Sequence, residues 1–204
     1  GGDVSITSSI EYGKDGIVFN CNILDVPVHL HAFGDFQAMN ALPCIYIAKA
    51  CHLKEESILN GLAHLEMTKM RTQLIPVQNA YILDDTYKSN PESAKAAIDT
   101  LMVLPARKHI AILSDMLDLG SEEKQLHYDV GEYAKEKGVD ALYCTGPLSK
   151  ETSDGFNGNW YETKDEIYEA VKPLLEEDCV ILIKGSRAMK MDTLVDAFRG
   201  NDNE

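Results

Sequence analysis

The chain has 204 residues, 45% hydrophobic and 25% charged, the composition of an ordinary globular protein with room for one domain or two small ones. Its formal net charge of -14 excludes a duplex nucleic-acid binder working through a basic face, because phosphate neutralisation needs clustered Lys and Arg. No apolar run reaches the roughly 18 residues of a membrane span, and the five cysteines form no C-x-x-C pair, the pattern expected of a reducing cytoplasm.

In chain order, residues 4–10 and 17–23 are β-rich runs separated by a turn predicted over 11–16. Val26, Val28, Leu30 and Ala32 then alternate with Pro27, His29 and His31, which predicts a third strand with one covered face. His29 and His31 share the other face and, with no third ligand nearby, read as exposed polar side chains rather than a metal site. A helix is predicted over 40–53 with Pro43 in its first turn, where proline is tolerated. A second, amphipathic helix follows over 55–65.

From residue 72 the pattern changes to strands alternating with helices. Strands are predicted over 74–78, 80–83, 109–113, 141–145 and 180–183, and helices over 91–104, 122–137, 164–176 and 189–198. That order predicts an α/β fold, a mostly parallel Rossmann-like sheet with helices on both faces. A domain boundary is expected between residues 69 and 73, dividing the chain into 1–73 and 74–204.

Ligands of open α/β sheets bind at the carboxyl ends of the strands, and four predicted strand ends carry polar segments. The first runs Asp84-Asp85-Thr86-Tyr87-Lys88-Ser89-Asn90-Pro91-Glu92-Ser93, in which Asn90 reads as a helix N-cap, Pro91 as the first helical residue and Glu92 as a charge favoured by the helix dipole. The second is Ser114-Asp115-Met116-Leu117-Asp118-Leu119-Gly120, with His127 and Gly131 in the following helix. The third is Thr145-Gly146-Pro147-Leu148-Ser149. At the last, Lys184-Gly185-Ser186-Arg187 combines two cations with accessible backbone donors, a set suited to an anionic group. Neither a G-x-x-x-x-G-K-[ST] loop nor a G-x-G-x-x-G turn occurs.

These segments together resemble those of the Mur ligase family, best its MurF type. The family patterns are Asp-Ser/Thr-Tyr-Asn-Ala-Asn-Pro-Asp-Ser, Gly-Asp-Met-x-Glu-Leu-Gly, and Val-Lys-Gly-Ser-Arg. Residues 34–42 are similar to the end of the family's ATPase domain, keeping Asn40 but holding Phe36 and Gln37 where the family has His-Asn. Met70-Arg71 stand in place of Gly-Arg, Lys88 in place of Asn, and Ser114 in place of Gly.

The resemblance implies the β/α tail of a central ATP-binding domain over 1–73 and a Mur ligase C-terminal domain over 74–204. It implies an ATP-dependent amide ligase that adds D-alanyl-D-alanine to UDP-N-acetylmuramoyl-tripeptide in peptidoglycan precursor synthesis. ATP and Mg2+ would be held mainly by a part of the parent outside this chain, with no metal ligand, nucleic-acid partner or membrane insertion expected here. Asn40 is implied to meet the adenine or ribose, Asp85 the ribose hydroxyls, Tyr87 the adenine ring and Arg71 the phosphates, with Asn90 of the same loop a further nucleotide-binding residue. Lys184, Gly185, Ser186 and Arg187 are implied near the dipeptide. His127 is expected to position a loop rather than act as a base. Without a P-loop, the chain is expected to be an excised piece that is inactive alone. Two alternatives stand beside this reading: another Mur-like amide ligase, such as a folylpolyglutamate synthase relative, and a non-catalytic α/β binding module.

Overall fold

The computed structural model describes residues 3–65 and 68–200. The chain divides into two compact units, Gly1–Thr68 and Lys69–Glu204.

In the first unit, β1 (Glu11–Gly13), β2 (Gly16–Phe19) and β3 (Val28–Leu30) form an antiparallel sheet in that order. Gly13 pairs with Gly16, so the turn predicted over 11–16 contracts to Lys14 and Asp15, a two-residue hairpin loop. The strand predicted over 4–10 reduces to a single bridge between Ile6 and Cys21. Ile17, Phe19, Val28 and Leu30 lie in one core with Ala38, Leu42 and Ile45 from α1 (Asp35–Ala50) and Ile58 from α2 (Glu55–Ala63). The opposite face of β3 is polar and exposed, as expected for His29 and His31. Helix α1 starts earlier than predicted, which puts Pro43 inside it rather than in its first turn. Pro43 therefore forfeits the hydrogen bond that an N–H would make one turn back.

The second unit is a six-stranded sheet in the order β4, β5, β9, β6, β7, β8. Its strands are β4 (Gln73–Val77), β5 (Ala80–Asp85), β6 (Lys108–Ser114), β7 (Ala141–Thr145), β8 (Asn159–Tyr161) and β9 (Cys179–Lys184). Only the edge strand β4 runs antiparallel to its neighbour. Side chains alternate between the two faces of a strand. Ile82, Ile110, Ile112, Ile181 and Ile183 accordingly pack with Ile167 and Val171 of α6 (Lys164–Val171) and with Leu194, Val195 and Phe198 of α7 (Asp192–Phe198). Leu83, Leu113 and Leu182 are also buried, on the side covered by α3 (Pro91–Val103), α4 (Glu123–Lys137) and α5 (Ser149–Phe156). Burial on both faces is why these strands read as unbroken apolar runs.

Two elements were not expected from the sequence, α5 and β8. The buried face of α5 is Ser149, Thr152, Ser153 and Gly155, which has no apolar periodicity to detect. This face fits because α4 and α5 touch backbone to backbone: a Cβ on Gly131 would lie 2.0 Å from the Thr152 carbonyl oxygen, and one on Gly155 would lie 2.3 Å from that of Tyr128. The helix predicted over 164–176 ends at Val171 and continues as a 3-10 turn, Lys172–Glu176, that carries Pro173. The last helix begins at Asp192 rather than 189, because Lys190 takes a left-handed conformation at φ 50° and interrupts it.

Candidate functional site

Parallel pairing of β5 with β9 sets Asp85 opposite Lys184, so the first and last polar segments meet at one end of the sheet. Lys184 is 1% exposed. Its Nζ donates to Asp85 Oδ2 at 2.5 Å and to the Lys88 carbonyl at 2.7 Å. The other Asp85 oxygen accepts from the Thr72 backbone N–H at 3.1 Å and from its hydroxyl at 3.4 Å. One carboxylate thus joins the start of β4, the end of β5 and the end of β9.

The strap before β4 follows the same loop. Tyr87 donates its backbone N–H to the Met70 carbonyl at 3.1 Å, and the Arg71 guanidinium lies 4.4 Å from the Tyr87 ring centroid. Arg71 projects between two residues in left-handed conformations, Met70 at φ 66° and Thr72 at φ 50°. Tyr87 is 44% exposed, and Arg71 and Lys88 are exposed beside it. The result is an aromatic face and two cations open to solvent at the carboxyl end of β5, a combination suited to a planar, anionic ligand.

Asn90 acts as the local pattern predicts: its Oδ1 accepts from the Ser93 N–H at 2.8 Å, and the Ser93 hydroxyl accepts from the Asn90 N–H at 3.0 Å, a reciprocal cap. Asp84 is buried, with Oδ1 accepting from the Thr86 N–H at 3.1 Å and from its hydroxyl at 2.7 Å. Burial holds its carboxyl above the usual range, and the Thr86 hydrogen bonds oppose that rise without cancelling it.

Of the four residues expected near an anionic substrate group, Lys184, Gly185 and Ser186 are committed inside the fold. A Cβ on Gly185 would fall 2.9 Å from Ser114 Cβ and from Met191 Cγ, so any larger residue there must displace those side chains. The Ser186 hydroxyl accepts from the Leu117 N–H at 3.0 Å, and the Ser186 N–H donates to the Asp115 carbonyl at 3.0 Å. Arg187 does present its side chain to solvent, and pairs with Asp192 at 2.8 Å. Asn40 is exposed on α1 of the first unit.

The remaining motifs support the loops. Asp115 Oδ1 accepts from the backbone N–H groups of Leu148 and Ser149, at 3.1 and 2.7 Å, and so caps α5 from another strand end. His127 is fully buried, with Nε2 accepting from the Met116 N–H at 2.9 Å and Nδ1 lying 2.7 Å from the Glu123 carbonyl, the neutral ring with its proton on Nδ1. It positions the loop after β6. Sequence reading passed over Thr72 as a partner of Asp85, 13 residues on, and nothing local to it names that partner.

The model of the Mur ligase glutamate ligase domain matches residues 70–187. The chain belongs to the Mur ligase family. It is 32% identical over 182 residues to the UDP-N-acetylmuramoyl-tripeptide--D-alanyl-D-alanine ligase of Escherichia coli (strain K12), covering 86% of this chain and 40% of that protein. To the ligase of the same name from Rickettsia prowazekii (strain Madrid E) it is 32% identical over 142 residues, covering 68% of this chain and 32% of that protein. A crystal structure of MurF from Acinetobacter baumannii superposes with a TM-score of 0.86 at 26% identity, over 98% of this chain and 46% of that one. The chain therefore spans less than half the length of these relatives.

Proposed function

We propose that the chain is the C-terminal portion of an ATP-dependent ligase that joins D-alanyl-D-alanine to UDP-N-acetylmuramoyl-tripeptide during peptidoglycan precursor synthesis. Residues 1–73 would be the tail of its central ATP-binding domain and 74–204 its C-terminal domain. The observation that carries the reading is the solvent-facing Arg71–Tyr87 pair at the end of β5, in a chain 32% identical to a ligase of that name over most of its length.

In the reaction, the γ-phosphoryl group of ATP passes to the terminal carboxylate of the tripeptide, leaving ADP and an acyl phosphate. The dipeptide amine attacks the acyl carbon, and the tetrahedral adduct collapses with loss of phosphate. This chain's part is positioning. Tyr87 offers an aromatic face to the adenine, Arg71 a planar fork of donors to the phosphates, and Asn40 and Asp85 polar groups to the nucleoside. Asn90 shapes the loop that carries Tyr87, and Arg187 is the exposed cation of the 184–187 segment that faces the dipeptide carboxylate. Magnesium is implied by the same family. No cluster of three or more His, Cys, Asp or Glu side chains suited to a metal occurs among the described residues. A cytoplasmic location is part of the proposal and is supported by five free thiols; no helix among the described residues is long and apolar enough to cross a membrane.

The test is to express the polypeptide spanning the full length of the relatives and assay ATP-dependent addition of D-alanyl-D-alanine to the muramoyl tripeptide, with other amino and carboxylate substrates in parallel. Ligation of the dipeptide with release of ADP is expected. Activity on a folate or other carboxylate acceptor alone would overturn the substrate assignment. An endogenous gene product of only 22.6 kDa on an immunoblot would overturn the ligase reading itself.

A further inference from the structure

We infer that Lys184 is a positioning residue that presets the nucleotide-facing turn over 85–88, and that it does not itself touch the substrate. The inference rests on the ligase reading above and deepens it.

A lysine that terminates a strand buried on both faces faces a large desolvation cost, which only strong partners can offset. Lys184 has two strong acceptors, and both belong to the same turn: the Asp85 carboxylate and the Lys88 carbonyl, 2.5 and 2.7 Å from its Nζ. Drawing the Lys88 carbonyl inward leaves the Lys88 side chain outside and fixes the path of the chain through Tyr87. The second Asp85 oxygen then holds Thr72, and the Tyr87 N–H holds Met70. Arg71, caught between Thr72 and Met70, is thereby set over the ring. The ammonium therefore acts on the exposed Arg71–Tyr87 pair through two intermediaries. With its side chain 2% exposed and its charge matched internally, it has no surface to offer an anion.

The test is hydrogen exchange on the 204-residue chain carrying Lys184→Met, or Asp85→Asn together with Lys184→Met. Backbone amides at 86–89 are expected to exchange about tenfold faster in both variants, while those of β6 and β7 keep their protection. The double variant leaves no unpaired buried carboxylate, so it carries the test if the single one does not fold. Unchanged exchange at 86–89 in a folded variant would overturn the inference. In the full-length ligase Lys184→Met alone, which leaves the Asp85 carboxylate in place, is expected to raise KM for ATP about tenfold with KM for the dipeptide unchanged. A rise confined to the dipeptide KM would also overturn the inference, because it would make Lys184 a substrate contact. Faster exchange with an unaltered ATP KM would leave the positioning role standing and remove Tyr87 and Arg71 from the nucleotide site.

Discussion

The Arg71 guanidinium lies 4.4 Å from the centre of the Tyr87 ring, and the two residues reach each other from different strands: one from the strap before β4, the other from the turn after β5. The pair is exposed, so its own attraction is on the order of 0.5–1 kcal/mol. Its importance is in what the two side chains present together. Replacing Tyr87 with Ala in the full-length ligase is expected to raise KM for ATP about tenfold, and Tyr87→Phe to leave it near wild type, since stacking needs the ring and not the hydroxyl. Steady-state kinetics with ATP varied at saturating dipeptide would check this.

Met70 holds φ 66° where a residue without Cβ would be free of strain. Met70→Gly is expected to stabilise the chain by up to about 1 kcal/mol, the usual cost of a left-handed side-chain residue. The gain is reduced by the greater freedom of glycine in the unfolded chain and by loss of the weak 3.6 Å contact between Met70 Sδ and Arg187. Urea unfolding of the two proteins would measure it; a loss of stability would show that the Met70 side chain matters more than its backbone.

Asp84 supplies a pH dependence whose sign is set by its burial. Its folded pKa lies above the ordinary 3.8, so the folded state holds a proton that the unfolded state has already released. Stability contributed by this group is present below 3.8 and declines as pH rises through the raised folded value. Asp84→Asn keeps an acceptor for Thr86 and abolishes the titration. Urea midpoints measured through this range are expected to fall with pH more steeply in the wild type than in the variant.

Gly131→Ala offers a test in which local and tertiary effects have opposite signs. Inside an exposed helix the change would stabilise by about 1 kcal/mol. Here the new methyl would sit 2.0 Å from the Thr152 carbonyl oxygen, so α4 and α5 must separate. A net loss of about 1–3 kcal/mol is expected, in line with overpacked cores. Thermal unfolding monitored by circular dichroism would check it.

Much of this protein is legible from neighbours in sequence. Strands β5, β6 and β9 read as apolar runs because both of their faces are covered, and the start of α3 is written in the Asn90–Ser93 reciprocal cap with Pro91 at the first helical position. The polar segments at the other strand ends are legible as short patterns, yet they hold one another across the sheet: Ser186 bonds to the 115–117 loop and Asp115 to residues 148 and 149. Some contacts of motif residues were not legible: Gly185 packs closely on Ser114 and Met191, and the Ser186 hydroxyl accepts from Leu117, 69 residues away.

What the chain by itself determined was the kind and order of its elements, the caps and turns made within a few residues, and the family to which those patterns belong. What only the tertiary structure decided was who meets whom. Helix α5 has no apolar stripe, and forms because α4 accepts its small residues and Asp115 caps it from 33 and 34 positions away. Lys184 and Asp85, 99 residues apart, become partners because β9 inserts between β5 and β6. A charge carries no mark of its partner; strand order brings the two together, and burial then makes the pairing obligatory.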